Sequence, residues 1–282
     1  MTYVFEHIFK TGGTTLNLSY LLSAFAPEEV IILRGFRDPN LEDLQKLMAL
    51  PQEDKNRIKV IAGHNSGCLR PYFPDARFIT VVRNPVDRAV SGYLHAKHHP
   101  DAWEYGGRTI AERDMGLADF VREDLFAHEY ADFVSLHEWQ AKTVLGQQFD
   151  ASLDEDSISV ILRSRYCVVG CTERMELFVL YLHLTEGFPL LLFNNRLVRQ
   201  ERQTFDLSFT DLDMIERYSR LDALVYKCAR REFDQRIAKL WNGDTERLYQ
   251  EYLASLKRFQ QETAGNECVH PVPFVSARRA AY

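Results

Sequence analysis

The chain has 282 residues, 46% of them hydrophobic, and a formal net charge of −6. That length favours one large core over two small ones, so a single domain is expected over residues 1–265, with an irregular tail over 266–282. The acidic balance excludes a nucleic-acid binder that relies on a broad basic surface, and it makes any anion site a local feature.

The first strand candidate, "TYVFEHIF", runs into the small-residue loop "KTGGTT", and "LNLSYLLSAF" behind it has helical character. A strand, a glycine-bearing loop and a helix in that order form a phosphate-holding unit, although here the lysine precedes the glycines instead of following them as in the nucleoside-triphosphate loop. Two further β-rich runs, "RIKVIAGH" and "ARFITVVRNP", also end in polar or glycine-bearing loops, and a helix follows the second. This is the rhythm of an α/β fold around a central parallel sheet.

From His95 to about Asp156 the composition shifts toward His, Asp, Glu and aromatics, which predicts a helical insertion (95–156) over the sheet's edge. A fourth strand, "RYCVVG", then precedes "TERMELFVLYLHL", whose Met175, Leu177, Phe178, Tyr181 and Leu182 recur at helical spacing. A basic loop, "RLVRQERQ", follows, with long helical runs expected from about Ser208 to Lys239 and from Glu246 to Gln261.

The five cysteines are odd in number and lack paired metal-ligand spacing. Cys167 and Cys171 lie about 13 Å apart if their segment is extended, too far for a disulfide, so reduced thiols are expected. No secretory signal is evident at the N-terminus, and the most apolar stretch is broken by His183, Glu186, Gly187 and Pro189, so a soluble, cytoplasmic protein is expected.

Ligands of open parallel sheets bind outside the carboxyl ends of the strands. Lys10, His64 and Arg83 all fall at such ends. Gly12 and Gly13 permit a sharp turn, and the amides of Gly13, Thr14 and Thr15 open the next helix toward an anion, with two threonine hydroxyls beside them. In "FITVVRNPVDRAVSGYLHA" the strand delivers Arg83, Pro85 suits a helix's first turn, and Arg88 and Ser91 share a helical face. Arg88 reads equally as a guanidinium tying that helix to an acidic neighbour. His64 follows Gly63 in "VIAGHNSG", where a neutral imidazole is suited to take a hydroxyl proton near pH 7.

Together the two loop motifs resemble those of the PAPS-dependent sulfotransferases, PAPS being 3'-phosphoadenosine 5'-phosphosulfate. The similarity is greatest to the carbohydrate branch, whose motifs read H-I-P-K-T-G-G-T and R-N-P-x-x-R-x-x-S-x-Y. The second is complete here as Arg83, Asn84, Pro85, Arg88, Ser91 and Tyr93, and the first departs only at Phe9. Further similarity lies in "VVGCTERMELFVLYL" and "RYSRLDALVYKCARREFDQRI".

The resemblance implies that Lys10, Thr11, Gly12, Gly13, Thr14 and Thr15 hold the 5'-phosphosulfate and that Arg83 and Ser91 hold the 3'-phosphate. Lys10 would neutralise the departing oxygen and His64 would act as base, with no metal required. A hydroxyl-bearing acceptor, a sugar or glycoconjugate, is implied as the partner. Trp139 and Gln140 in "LHEWQAK" sit where relatives face the acceptor; Trp139 reads equally as an aromatic platform for a sugar and as a core tryptophan. Arg199 and Arg202 read as nucleotide-closing or simply solvated. His7 is expected to be packed, and His95, His98 and His99 to lie at a solvated helix end. Two other classes remain: a nucleotide or phosphosugar kinase, disfavoured by the absence of a G-x-x-x-x-G-K-[ST] segment, and a non-catalytic nucleotide- or glycan-binding module.

Overall fold

Short β-branched and aromatic runs build the centre of a sheet in which every pairing is parallel. A computed structural model describes residues 1–33, 41–64, 66–99, 107–126, 138–194, 208–264 and 269–276. Strand β1 (Tyr3–Glu6) lies between β3 (Val60–Gly63) and β4 (Arg77–Val82), with Glu6 opposite Gly63 on one side and Thr80 on the other. Outside them lie β2 (Val30–Leu33) and β5 (Val168–Cys171), giving the order β2-β3-β1-β4-β5.

Alternation along the strands sends side chains to two separate cores. Tyr3 and Phe5 face α1, a π-helix (Thr15–Leu21) continued by an α-helical turn (Leu22–Ala24), together with α9 (Met175–Glu186) and α12 (Gly243–Glu262). Val4 and Ile8 face α7 (Trp139–Leu145), α8 (Glu155–Arg165) and the first half of α11 (Arg220–Leu240). Leu47 of α2 (Leu41–Ala49) joins this second core, and the short α3 (Gln52–Arg57) leads into β3. Each fully buried apolar side chain contributes roughly 1.5–3 kcal/mol, so both faces are held firmly.

A third cluster gathers around Phe9, just past the carboxyl end of β1. It contains Ala89, Tyr93 and Ala96 of α4 (Pro85–His98), Ile110 of α5 (Gly107–Glu112), Phe120 of α6 (Leu117–Phe126) and Ile215 of α10 (Phe209–Tyr218). The segment read as one insertion thus divides. Helices α5 and α6 stack on α4, whereas α7 lies in the core beneath the sheet.

Three expectations are corrected. The run "VIIL" forms β2, a strand absent from the sequence reading. The helical run expected from Ser208 breaks at Ser219 into α10 and α11. Part of the tail is ordered: Val272–Pro273 (β7) pairs antiparallel with Leu191–Leu192 (β6), and Phe274 packs edge-on to Tyr252 at 5.5 Å. Cys68, Cys167, Cys171 and Cys228 are not in disulfides. Among the described residues no helix is long and apolar enough to cross a membrane. Arg199 and Arg202 lie outside the described residues.

Candidate active site

Lys10, His64 and Arg83 follow β1, β3 and β4, which are three adjacent strands, so their loops share one end of the sheet. In the first loop Lys10 and Gly12 both adopt left-handed backbone, with φ of 63° and 79°. Left-handed residues of this kind curl a loop so that successive amides turn toward one point. Gly13 is required for a different reason: a Cβ there would lie 1.8 Å from the His7 ring. The Thr11 hydroxyl is buried and donates to the Ile8 carbonyl at 2.8 Å, which ties the loop back to the end of its own strand. Thr14 is half-buried, Thr15 is buried, and the helix that opens here is π-wound from Thr15, a winding that often marks functional sites.

His64 is held by His7. Its Nδ1 donates to the His7 carbonyl at 2.8 Å, and the two rings stack with centroids 4.0 Å apart. A carbonyl only accepts, so Nδ1 carries the hydrogen and the neutral ring keeps its lone pair on Nε2, the atom a base would use. Burial pushes the His64 pKa down to about 4, against a smaller opposing effect of the bond to His7. The ring is therefore neutral well below pH 7. His7 is itself held well below the usual imidazole range by burial, with His64 and Lys10 adding to it.

Arg83 meets the first loop directly, its Nη1 donating to the Lys10 carbonyl at 3.3 Å. Its backbone is gripped by side chains. Gln140 Oε1 accepts from Arg83 N at 2.7 Å while Gln140 Nε2 donates to Arg83 O at 3.0 Å, and Glu173 accepts from Asn84 N at 2.8 Å. Asn84 then caps α4, accepting from Val86 N at 2.9 Å ahead of Pro85 in the first turn. Ser91 stands half-buried in the second turn of the same helix.

Arg88 takes the tying role. It is 1% exposed and pairs with Asp222 Oδ2 at 2.7 Å. Gln140, expected to face an acceptor, is fully buried with both amide atoms on Arg83, and this corrects its placement. Trp139 is half-buried and bridges the second and third cores. His95 meets the Phe9 ring edge-on at 5.9 Å and lies 4.7 Å from His99 between ring centroids, so the end of α4 approaches the first loop through Phe9.

Two site residues went unread in the sequence. Thr172 Oγ1 shares its proton between the Thr11 carbonyl (2.8 Å) and the Val82 carbonyl (3.2 Å), joining the two loops, and Glu173 holds Asn84. Both follow β5, so the strand-end rule that singled out Lys10, His64 and Arg83 covers them as well.

No protein-family model matches the chain, and no curated protein is similar to it in sequence. Among solved structures, a sulfotransferase from Alicyclobacillus acidocaldarius is similar over 82% of this chain and 96% of that one, with 15% identity and a TM-score of 0.43. A likeness of that size leaves the function to the chemistry of the site.

Proposed function

We propose that this chain is a PAPS-dependent sulfotransferase acting on a hydroxyl of a carbohydrate or glycoconjugate. The observation that carries the reading is the meeting of Lys10, His64 and Arg83 at one end of three adjacent strands, with Arg83 bonded to the Lys10 carbonyl. Two anion-holding loops joined in this way suit a ligand with two separate anionic groups, and the two motifs resemble those of the PAPS-dependent sulfotransferases. PAPS supplies the sulfuryl group and a leaving bisphosphate. The amides of residues 11–15 and Lys10 hold the phosphosulfate, while Arg83 and Ser91 hold the 3'-phosphate.

His64 accepts the acceptor's proton on Nε2 as the acceptor oxygen bonds to sulfur. The bond between sulfur and the bridging oxygen breaks, and its electron pair leaves on that oxygen beside Lys10, whose charge opposes the growing negative charge. A base with a pKa of about 4 is weak in isolation but is never silenced by protonation at neutral pH.

The test is transfer of labelled sulfate from PAPS to a panel of sugar and glycoconjugate acceptors, with mass analysis of the product. A sulfate ester on an acceptor hydroxyl is the expected result. Magnesium-dependent transfer from a nucleoside triphosphate would replace the reading with a kinase, and tight binding of adenosine 3',5'-bisphosphate (PAP) without turnover on any acceptor would replace it with a binding module.

A further inference from the structure

Strand β4 pairs with β5 only as far as Val82 opposite Cys171. The next residue, Arg83, has left the ladder, yet both its N–H and its C=O are bonded, and to one side chain. Gln140 meets the N–H with Oε1 at 2.7 Å and the C=O with Nε2 at 3.0 Å. A residue in an antiparallel sheet exchanges two bonds with its partner in the same way. The amide's orientation follows from chemistry, because an N–H needs an acceptor and a carbonyl needs a donor. Gln140 is fully buried, so water does not compete for either bond.

Gln140 is in turn set by the start of α11. Glu138 accepts from Leu221 N at 2.9 Å, and Asp222 Oδ1 accepts from Ala141 N at 2.8 Å, so residues on both sides of Gln140 are bonded to Leu221 and Asp222. The other oxygen of Asp222 holds Arg88 of α4, the helix that carries Ser91. One carboxylate therefore locates both the clamp on Arg83 and the helix bearing Ser91.

We propose that Gln140 is a positioning residue that aims Arg83 at the 3'-phosphate, an inference that rests on the sulfotransferase reading. The clamp holds the arginine's Cα while its Nη1 bonds the Lys10 carbonyl, so the guanidinium is aligned before the nucleotide arrives and little ordering remains to be done on binding.

The test is a double-mutant cycle on nucleotide affinity, read by calorimetry with PAP and with adenosine 5'-phosphosulfate, which lacks the 3'-phosphate. Gln140→Leu is expected to weaken PAP by about 10-fold or more and adenosine 5'-phosphosulfate by less than about 3-fold. Added to Arg83→Ala, it should weaken PAP little further, because the arginine it aims is gone. Gln140→Glu keeps the acceptor for the Arg83 N–H but sets a carboxylate oxygen against the carbonyl, so it too should weaken PAP while leaving adenosine 5'-phosphosulfate within about 3-fold. Equal losses for both ligands, or losses that add in the double variant, would overturn the positioning role. So would failure of both Gln140 variants to fold, which would make Gln140 a residue of the core alone. If Arg83→Ala itself does not distinguish the two ligands, it is the nucleotide reading that falls.

Discussion

The His7 and His64 rings stack 4.0 Å apart between centroids, and the backbone carbonyl of His7 accepts the Nδ1 hydrogen of His64. One residue thus supplies both the stacking partner and the hydrogen bond that selects the tautomer. Burial holds both rings neutral where the chemistry is proposed to run, and repulsion from His64 lowers His7 further.

His64→Ala should lower turnover on a sugar alcohol by about 10²–10⁴ and leave PAP affinity within about 3-fold of wild type, since the ring lies outside both anion loops. In the wild type the acid limb of kcat/KM for PAPS should lie near pH 4, and the limb of kcat should lie higher, because an anionic donor favours the protonated ring. Neither limb should survive in the variant. Normal turnover, or loss of PAP binding alongside activity, would move the base elsewhere.

The same burial makes the fold acid-sensitive. The folded-state pKa of His64 lies below the unfolded value of about 6.5, so the unfolded chain takes up the proton first as pH falls. Stability is full above pH 6.5, declines below it, and stops declining from this cause near pH 4, a loss of roughly 3 kcal/mol for His64 with His7 adding in the same direction. Urea melts of wild type and His64→Gln between pH 7 and 4 measure it, and the variant should show the shallower decline.

Lys10→Ala should reduce kcat even at saturating PAPS, because the lysine acts mainly as charge develops on the leaving oxygen. A loss of about 10²-fold or more in kcat is expected from steady-state kinetics, with the donor KM changed far less. A change confined to KM would show equal binding of ground and transition states.

Gly13→Ala should destabilise the protein by about 3 kcal/mol or more, because the new methyl collides with a His7 ring that stacks on His64 and lies beside Phe5. In a His7→Ala background the same change should cost less than about 1 kcal/mol, since the obstacle is gone. Thermal melts of the four proteins in the cycle decide it.

Asp222→Ala should cost about 3–5 kcal/mol, since it takes the carboxylate from a buried guanidinium and leaves the Ala141 amide without its acceptor. Burial pushes the Asp222 pKa up and Arg88 opposes the shift, so the pair is held together against a desolvation cost. The double change Arg88→Met with Asp222→Leu should recover the part of the loss owed to the broken ion pair in denaturant melts, while the part owed to the Ala141 amide remains.

The sheet's centre and its loops are legible because they obey local rules: β-branched runs, a glycine loop, a proline opening a helix. Lys10, His64 and Arg83 follow from the strand-end rule, and Arg88's ion pair is among the readings its sequence context allows. β2 escapes because an edge strand of four half-buried residues has little alternation to display. Gln140 and Asp222 escape for another reason: their partners stand 57 and 134 residues away in the chain, and nothing local marks a side chain that will pair with a distant backbone or guanidinium. The pKa of His64 escapes likewise, since it depends on what the fold packs around the ring.

Helix α11 contributes Leu221, Val225, Cys228 and Ala229 to one core and Phe233 and Ile237 to the other. A helix that is structural on both faces of a sheet removes the boundary at which one half might open alone. Fraying of α11 would wet both cores at once, so the two layers share a single cooperative transition and neither is a separable folding unit. The anchors of the Arg83 clamp, at the first turn of that helix, therefore open only at the cost of the whole molecule, and Arg83 inherits its rigidity from global stability.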